Sequence, residues 1–322
     1  MMRYASIDVG TNTLRLLIAE QQGRDLKSVL YKRRITRLGG GYTEEGGISN
    51  DAAQRTFAAL EDFRREIDNA GATVIMAFAT SVVRRACNRE WFRDEVRKRT
   101  GMEITIITGN EEANLSLLGV LSVIDDRSGK KLVMDVGGGS TEFIATVDGI
   151  AAGAWSMELG VVHLTEKYLK SDPPSDGELA QIGDEVRGVL DDLKSRMRQD
   201  GVDPEDFSAD GTAFVGTAGT ITTLAAIDQD LEEYDRARIN NYTLRKEGIA
   251  AIFRRIARMK LSEREEVLKL EKGREDLIIP GTAITLLAME SFGFNEAKVS
   301  DAGLLEGIIL DRLKPEVVAL RY

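Results

Sequence analysis

Asp8 and Asp135 occupy equivalent places in two runs of the same make. "IDVGTNTLRLLIAE" starts at Ile7 and "MDVGGGSTEFIATV" at Met134, and each passes from apolar residues through Asp-Val-Gly and small polar residues into apolar alternation. Turns of this kind leave backbone N–H groups pointing into one concavity, which is how main chain cradles phosphate oxygens. Gly10 and the run Gly137, Gly138 and Gly139 remove Cβ atoms where an anion would approach closely. Thr11, Thr13, Ser140 and Thr141 add hydroxyl donors, and Asn12 lies in the first loop with its backbone amide. A carboxylate at the end of a strand, Asp8 or Asp135, suits Mg²⁺, which favours oxygen ligands and keeps part of its hydration shell. Seven residues after each Asp the copies differ. Arg15 brings positive charge to the first, and Glu142 brings the second a further metal-binding or water-orienting carboxylate. A third run, "FVGTAGTITTLAAI", has Gly216, Thr217, Gly219 and Thr220 leading from a strand into a helix, whose first amides and dipole favour a phosphate. Singly, each loop is an ordinary turn, because Gly and Asp suit turns for backbone reasons. Two copies in matching strand context point to a ligand.

The elements that must hold these loops read as a repeat. "RYASIDVG", "TLRLLIAEQ" and "LKSVLYKRRITRL" are strand patterns joined by short loops, which predicts an antiparallel meander. Ser49 caps a helical run that ends at Gly71. "TVIMAFAT" reads as a strand, "NREWFRDEVRKRTG" as a helix, "EITIITG" as a strand and "NEEANLSLLGVLSVI" as a helix. The order βββαβαβα makes an α/β layer with helices covering a sheet. After the linker-like run "DDRSGKK" the pattern restarts with "KLVMDVGG", "STEFIATVD" and "IAAGAWSMELG". Helical runs such as Asp176–Gln199 follow, with "AFVGTAG" and "AKVSD" as strands, so the second copy is richer in helix.

Composition bounds the chemistry. The 322 residues allow two domains, and the net charge of −10 argues against nucleic-acid binding through phosphate neutralisation. One Cys, Cys87, allows no internal disulfide and no thiolate cluster. One His, His163, is too little imidazole for a Ser-His-Asp triad or a His-rich metal cage, and it reads as a structural residue of an amphipathic helix. Polar Asp8 and Arg15 come too early for a signal peptide, and no apolar run is of membrane-spanning length. The expectation is a cytoplasmic protein with no membrane partner. Arg33, Arg34 and Arg37 form the densest basic run, either a path for a long polyanion or a solvated strand edge.

In chain order, "IDVGTNTLRLLIA", "ATSVVRRACN", "TGNEEANLSLLGV", "MDVGGGSTEF", "VGTAGTITTLAA" and "VSDAGLLEGII" resemble the exopolyphosphatase / guanosine pentaphosphate phosphohydrolase (Ppx/GppA) family of the actin / sugar kinase / Hsp70 superfamily. The resemblance covers residue 5 to about residue 312. It implies an α/β fold of two ribonuclease H-like, actin-like ATPase domains with an interdomain cleft that holds the site. The expected division is 1–126 with a C-terminal helix over 303–322, and 127–302, that helix packing back on the first domain. By the same resemblance Glu112 corresponds to the general base, with Glu111 as the alternative. Arg15 and Arg84 match arginines of the site, and Asp135, Gly137, Gly138, Ser140 and Glu142 match phosphate- and metal-binding positions. The residues support those roles independently. Glu111 and Glu112 follow a Thr-Gly-Asn turn at a helix N-terminus, where a carboxylate stays ionised and can deprotonate a water. Arginines answer the demand of phosphoryl transfer for positioning and electrostatics.

Longer family members carry an additional C-terminal HD-like helical region. With one His this chain cannot contain that site, so it resembles the short, two-domain type, which argues against processive handling of long polyphosphate. The expectation is therefore a Mg²⁺-dependent phosphohydrolase, with Mn²⁺ as the alternate ion, acting on inorganic polyphosphate or on the stringent-response nucleotide guanosine pentaphosphate. Its metal would sit on Asp135, Glu142 and Asp8. An ATP-dependent small-molecule kinase of the same superfamily and a non-catalytic alarmone sensor are the rival readings. A homodimer is expected because two-fold assemblies dominate soluble oligomers.

Overall fold

The computed structural model describes residues 2–22, 25–208, 211–267, 273–313 and 319–321. In chain order its elements are β1 (Arg3–Val9), β2 (Thr13–Gln22), β3 (Asp25–Ile35), α1 (Asn50–Asn69), β4 (Val74–Ala79), α2 (Ser81–Arg85), α3 (Arg89–Thr100), β5 (Ile104–Ile106), α4 (Gly109–Val123), β6 (Lys130–Val136), β7 (Thr141–Val147), β8 (Ile150–Met157), α5 (Val161–Tyr168) and α6 (Asp176–Gln199). There follow β9 (Thr212–Thr217), α7 (Gly219–Asp228), α8 (Arg236–Ile239), β10 (Thr243–Arg245), α9 (Lys246–Ile256), α10 (Leu261–Val267), α11 (Ile278–Ser291), β11 (Glu296–Val299), α12 (Leu304–Arg312) and β12 (Ala319–Arg321). The chain divides into two compact units, Met1–Val123 with Ala302–Tyr322, and Ile124–Asp301.

The sheet of the first unit has the order β12-β3-β2-β1-β4-β5. β1, β2 and β3 are the expected antiparallel meander, and β4 and β5 add in parallel. Alternation along β1 sends side chains to both faces, as strand geometry requires. Ala5, Ile7 and Val9 pack in one core with Phe57, Leu60 and Phe63 of α1. Tyr4 joins Leu305 and Ile309 of α12 in another, and the Ser6 hydroxyl donates to the Leu305 carbonyl at 2.9 Å. Ser49 caps α1 by accepting from the Ala52 N–H. Two glycines let α4 and α12 meet backbone to backbone: a Cβ on Gly119 would stand 1.9 Å from the Gly303 carbonyl oxygen, and one on Gly307 would stand 1.7 Å from that of Leu115.

The second unit repeats the scheme with the order β10-β11-β9-β6-β7-β8. β6, β7 and β8 are antiparallel, and β9 and β11 run parallel beside them. These are the duplicated α/β halves expected from the sequence. The helix expected over 303–322 is shorter: α12 ends at Arg312, and Ala319–Arg321 pair as a strand beside β3. Pro315 in the sequence disfavours a helical residue before it, and 314–318 and 322 lie outside the described residues. α2, β10 and β12 carry no sequence expectation because three to five residues are too few to show a period.

Candidate active site

Each meander closes its first hairpin in the same way. The Gly10 N–H donates to the Thr13 carbonyl at 3.2 Å, and the Gly137 N–H to the Ser140 carbonyl at 2.9 Å. A Cβ on either glycine would lie 2.9 or 2.8 Å from that carbonyl oxygen, so the turn requires Gly. Both loops are anchored through carbonyls of their tips. Thr36 and Arg37 donate to the Asn12 oxygen and Gly39 to that of Thr11, while Val161 and Val162 at the start of α5 donate to those of Gly137 and Gly138.

This hairpin length sets the register that gives the seven-residue spacing its meaning. Asp8 lies directly opposite Arg15, and Asp135 opposite Glu142. In the first unit the pair is an ion bridge: Arg15 donates from Nε at 2.9 Å and from Nη2 at 2.6 Å to one oxygen of Asp8. The other oxygen, Oδ1, is buried with no hydrogen-bond partner, as is the Thr11 hydroxyl. In the second unit two carboxylates face each other, with Asp135 9% and Glu142 2% exposed. Ser156, the next residue along the rung on β8, donates its hydroxyl to Glu142 Oε1 at 2.7 Å. Sequence reading missed Ser156, although the spacing of the β7–β8 hairpin carries the signal.

The two glutamates at the start of α4 do different work. Glu111 accepts from the Thr108 N–H at 2.7 Å and hydroxyl at 2.9 Å, while the Glu111 N–H donates back to Thr108 Oγ1. This is a reciprocal helix cap, and the Thr108 N–H, helped by its hydroxyl, holds the Glu111 carboxyl below its ordinary pKa range. Glu112 instead receives Arg84 Nη1 at 3.0 Å, and the same nitrogen donates to the Ile107 carbonyl at 2.9 Å. The Glu112 side chain is 12% exposed and that of Arg84 23%, so the pair is reachable yet held.

The third glycine loop joins β9 to α7. Thr217 is buried and lies beside Asp135 in the β6–β9 register. Ala218, at the cap of α7, has φ 70° and ψ −178°, a region costing a residue other than glycine about 1–3 kcal/mol. Gly219 makes room for an arginine, since a Cβ there would fall 1.4 Å from Arg274 Nη1. Arg274 thus brings a cation to the first residue of α7, adding charge where the helix end already favours an anion. Nothing local in the sequence marks it, because more than fifty residues separate the two. Gly216 is required by packing, its absent Cβ lying 2.8 Å from Ile221 Cγ1.

Among the described residues no three His, Cys, Asp or Glu side chains gather into a metal-holding group. Asp135 and Glu142 offer two buried carboxylates on one rung, an all-oxygen pair of the kind Mg²⁺ takes while keeping waters. Asp8 fits a metal less well because Arg15 already neutralises it. His163 Nε2 lies 3.4 Å from Glu185 Oε1 on an exposed part of α5, in keeping with a structural residue. No helix among the described residues is long and apolar enough to cross a membrane.

Comparison with known proteins places this geometry in context. Residues 17–316 match the model of the Ppx/GppA phosphatase family. Exopolyphosphatase 2 of Mycobacterium tuberculosis is 32% identical over 324 residues, covering 96% of this chain and 98% of that protein. A bifunctional 3-dehydroquinate synthase/phosphatase of Fusobacterium nucleatum is 32% identical over 321 residues, but this chain spans only 46% of its length. The crystal structure of the Aquifex aeolicus Ppx/GppA family member superposes with a TM-score of 0.78 at 30% identity, covering 97% of each chain.

Proposed function

The chain belongs to the Ppx/GppA phosphatase family, and on that premise we propose that it hydrolyses the terminal phosphoanhydride of inorganic polyphosphate or guanosine pentaphosphate. The observation that carries the reading is the Arg84–Glu112 pair at 3.0 Å. Arg84 orients the Glu112 carboxylate by donating to it from Nη1. Glu112 takes a proton from water as the water oxygen attacks the terminal phosphorus, and the bridging oxygen leaves with the shortened chain. In the first unit the backbone amides of the 11–13 loop are donors suited to phosphoryl oxygens, and Arg15 and Arg84 answer the charge that develops in the transfer. In the second unit the 137–140 loop, the Ser140 hydroxyl and the start of α7 beside Arg274 are donors of the same kind.

Asp135 and Glu142 would hold Mg²⁺ or Mn²⁺, which supplies charge neutralisation at the phosphoryl oxygens when bound. Polyphosphate is the favoured substrate, because a relative matched over 98% of its own length is an exopolyphosphatase.

The test is phosphate release from long-chain polyphosphate and, in parallel, from guanosine pentaphosphate, with Mg²⁺ and with EDTA. Glu112→Gln is expected to lower kcat by about 10²–10⁴ with the fold intact by circular dichroism. No release from either substrate, or a Gln variant as active as the parent, would overturn the reading.

A further inference from the structure

The last turn of α9 and the residues just after it carry a concentrated positive charge. From Gly248 to Ser262 the sequence holds four cations, Arg254, Arg255, Arg258 and Lys260, and no acid. Ile249, Ile252 and Ile256 form the buried side of the helix, and at 3.6 residues per turn Arg254 and Arg255 fall on the side away from them. The chain continues that face beyond the helix. The Ala257 N–H donates to the Phe253 carbonyl at 2.9 Å and the Arg258 N–H to that of Arg255 at 3.3 Å, which places Arg258 one turn after Arg254. All four cations are exposed, and among the described residues none of their side chains makes an ion pair or a hydrogen bond. Glu263, the nearest acid in sequence on the C-terminal side, turns its carboxylate back to the Lys260 N–H at 2.7 Å.

A helix C-terminus favours cations, but α1 and α11 end with no basic residue in the last turn, so the dipole does not require this cluster. Arginines on α6 are matched instead: Arg187 pairs with Asp184 at 3.0 Å and Arg196 with Asp192 at 2.9 Å. Like charges one turn apart are destabilising, and a polyanion lying across them reverses the sign. The cluster lies towards the phosphate-loop end of the second sheet. The Leu261 N–H, next to Lys260, donates to Asp172 Oδ1 at 2.8 Å. Buried Arg264 is 3.4 Å from the same oxygen and within the field of Glu275 and Asp276. Those two residues follow Arg274, whose guanidinium occupies the space beside Gly219 at the start of α7.

We propose that Arg254, Arg255, Arg258 and Lys260 form an exosite that holds internal phosphates of a long polyphosphate chain, away from the phosphate being cleaved. The inference rests on the hydrolase reading and extends it to chain length. A guanidinium donates two parallel hydrogen bonds to the free oxygens of an internal phosphate. A second point of attachment raises affinity for chains long enough to reach it and leaves short ones unaffected. Polyphosphate fits better than a single-stranded nucleic acid, which needs aromatic faces on which bases stack. No aromatic residue stands among the four cations, and the adjoining Phe253 packs against the core.

The experiment compares the full chain with the double variant Arg254→Gln/Arg258→Gln and with Arg187→Gln/Arg196→Gln, which removes the same charge from α6. Hydrolysis of tripolyphosphate and of long-chain polyphosphate is followed with Mg²⁺, and binding of long-chain polyphosphate is titrated calorimetrically at several salt concentrations. Arg254→Gln/Arg258→Gln is expected to raise KM for the long chain about tenfold and to leave kcat and the KM for tripolyphosphate within about twofold. It should weaken long-chain binding equally and flatten the salt dependence by about one to two counterions, with the melting temperature unchanged. The α6 variant should behave as the parent. Equal long-chain KM and affinity in the two variants overturns the proposal, and so does a rise in KM that is the same for tripolyphosphate. Tighter binding by the parent of a single-stranded RNA of matched charge, lost in the α9 variant, also overturns it and assigns the surface to nucleic acid. If Arg254→Gln/Arg258→Gln does not fold, Arg255→Gln/Lys260→Gln decides by the same criteria. A parent chain that binds long-chain polyphosphate without cleaving it defeats the hydrolase reading, and the binding titration then still decides the exosite.

Discussion

A hydroxyl on β8 fixes one carboxylate of the anionic rung. Ser156 donates to Glu142 Oε1, which removes one rotamer choice from a buried acid. Residues that orient a metal ligand in this way alter affinity about 10–100-fold when removed. Ser156→Ala is therefore expected to raise the Mg²⁺ concentration for half-maximal activity about tenfold, and Ser156→Thr to restore most of it. Mn²⁺ binding followed by electron paramagnetic resonance should weaken in the same order without reference to turnover. Much of this scale was legible in the sequence. The equal spacing of Asp8 to Arg15 and of Asp135 to Glu142 is a hairpin register written in residue numbers, and the structure turns it into facing pairs. What could not be read was the identity of partners supplied by distant chain, such as Arg274 at Gly219. Nor could the sequence divide the work between Glu111 and Glu112, because only the fold decides which carboxylate turns back to Thr108 and which meets Arg84.

Among the elements, α4 has the most demanding fit. Its first turn carries Glu112, and its middle touches α12 where neither helix has room for a side chain. Substituting Ala at Gly119 or Gly307 drives a methyl group into backbone oxygen, which neighbouring rotamers cannot relieve. Each change is expected to cost about 3 kcal/mol, the upper part of the range for overpacking. A lowered midpoint in chemical denaturation, with kcat falling alongside as the first turn of α4 shifts, would register it. The long periodic elements were visible from sequence alone, α1 and α6 with their serine caps and the strands with their alternation. The short ones were not. β12 is three residues paired with Asp25, Leu26 and Lys27, and such an element exists because a strand edge is available to receive it.

The two units are unequal in how the chain builds them. Ile124–Asp301 is continuous, whereas the first unit needs Ala302–Tyr322 to complete it. When the denatured full-length chain is refolded and sampled by brief proteolysis, peptides of the continuous unit should become resistant first. The α4 region should gain resistance only with α12, and simultaneous protection of both would contradict this order. Domains fold as units and those completed earlier settle first during synthesis. The same geometry gives the protein a schedule on the ribosome. The Asp135–Glu142 pair can be in place while the helix bearing Glu112 still lacks its neighbour, so on the proposed function a half-made chain would hold its metal ion before it gained the carboxylate that activates water.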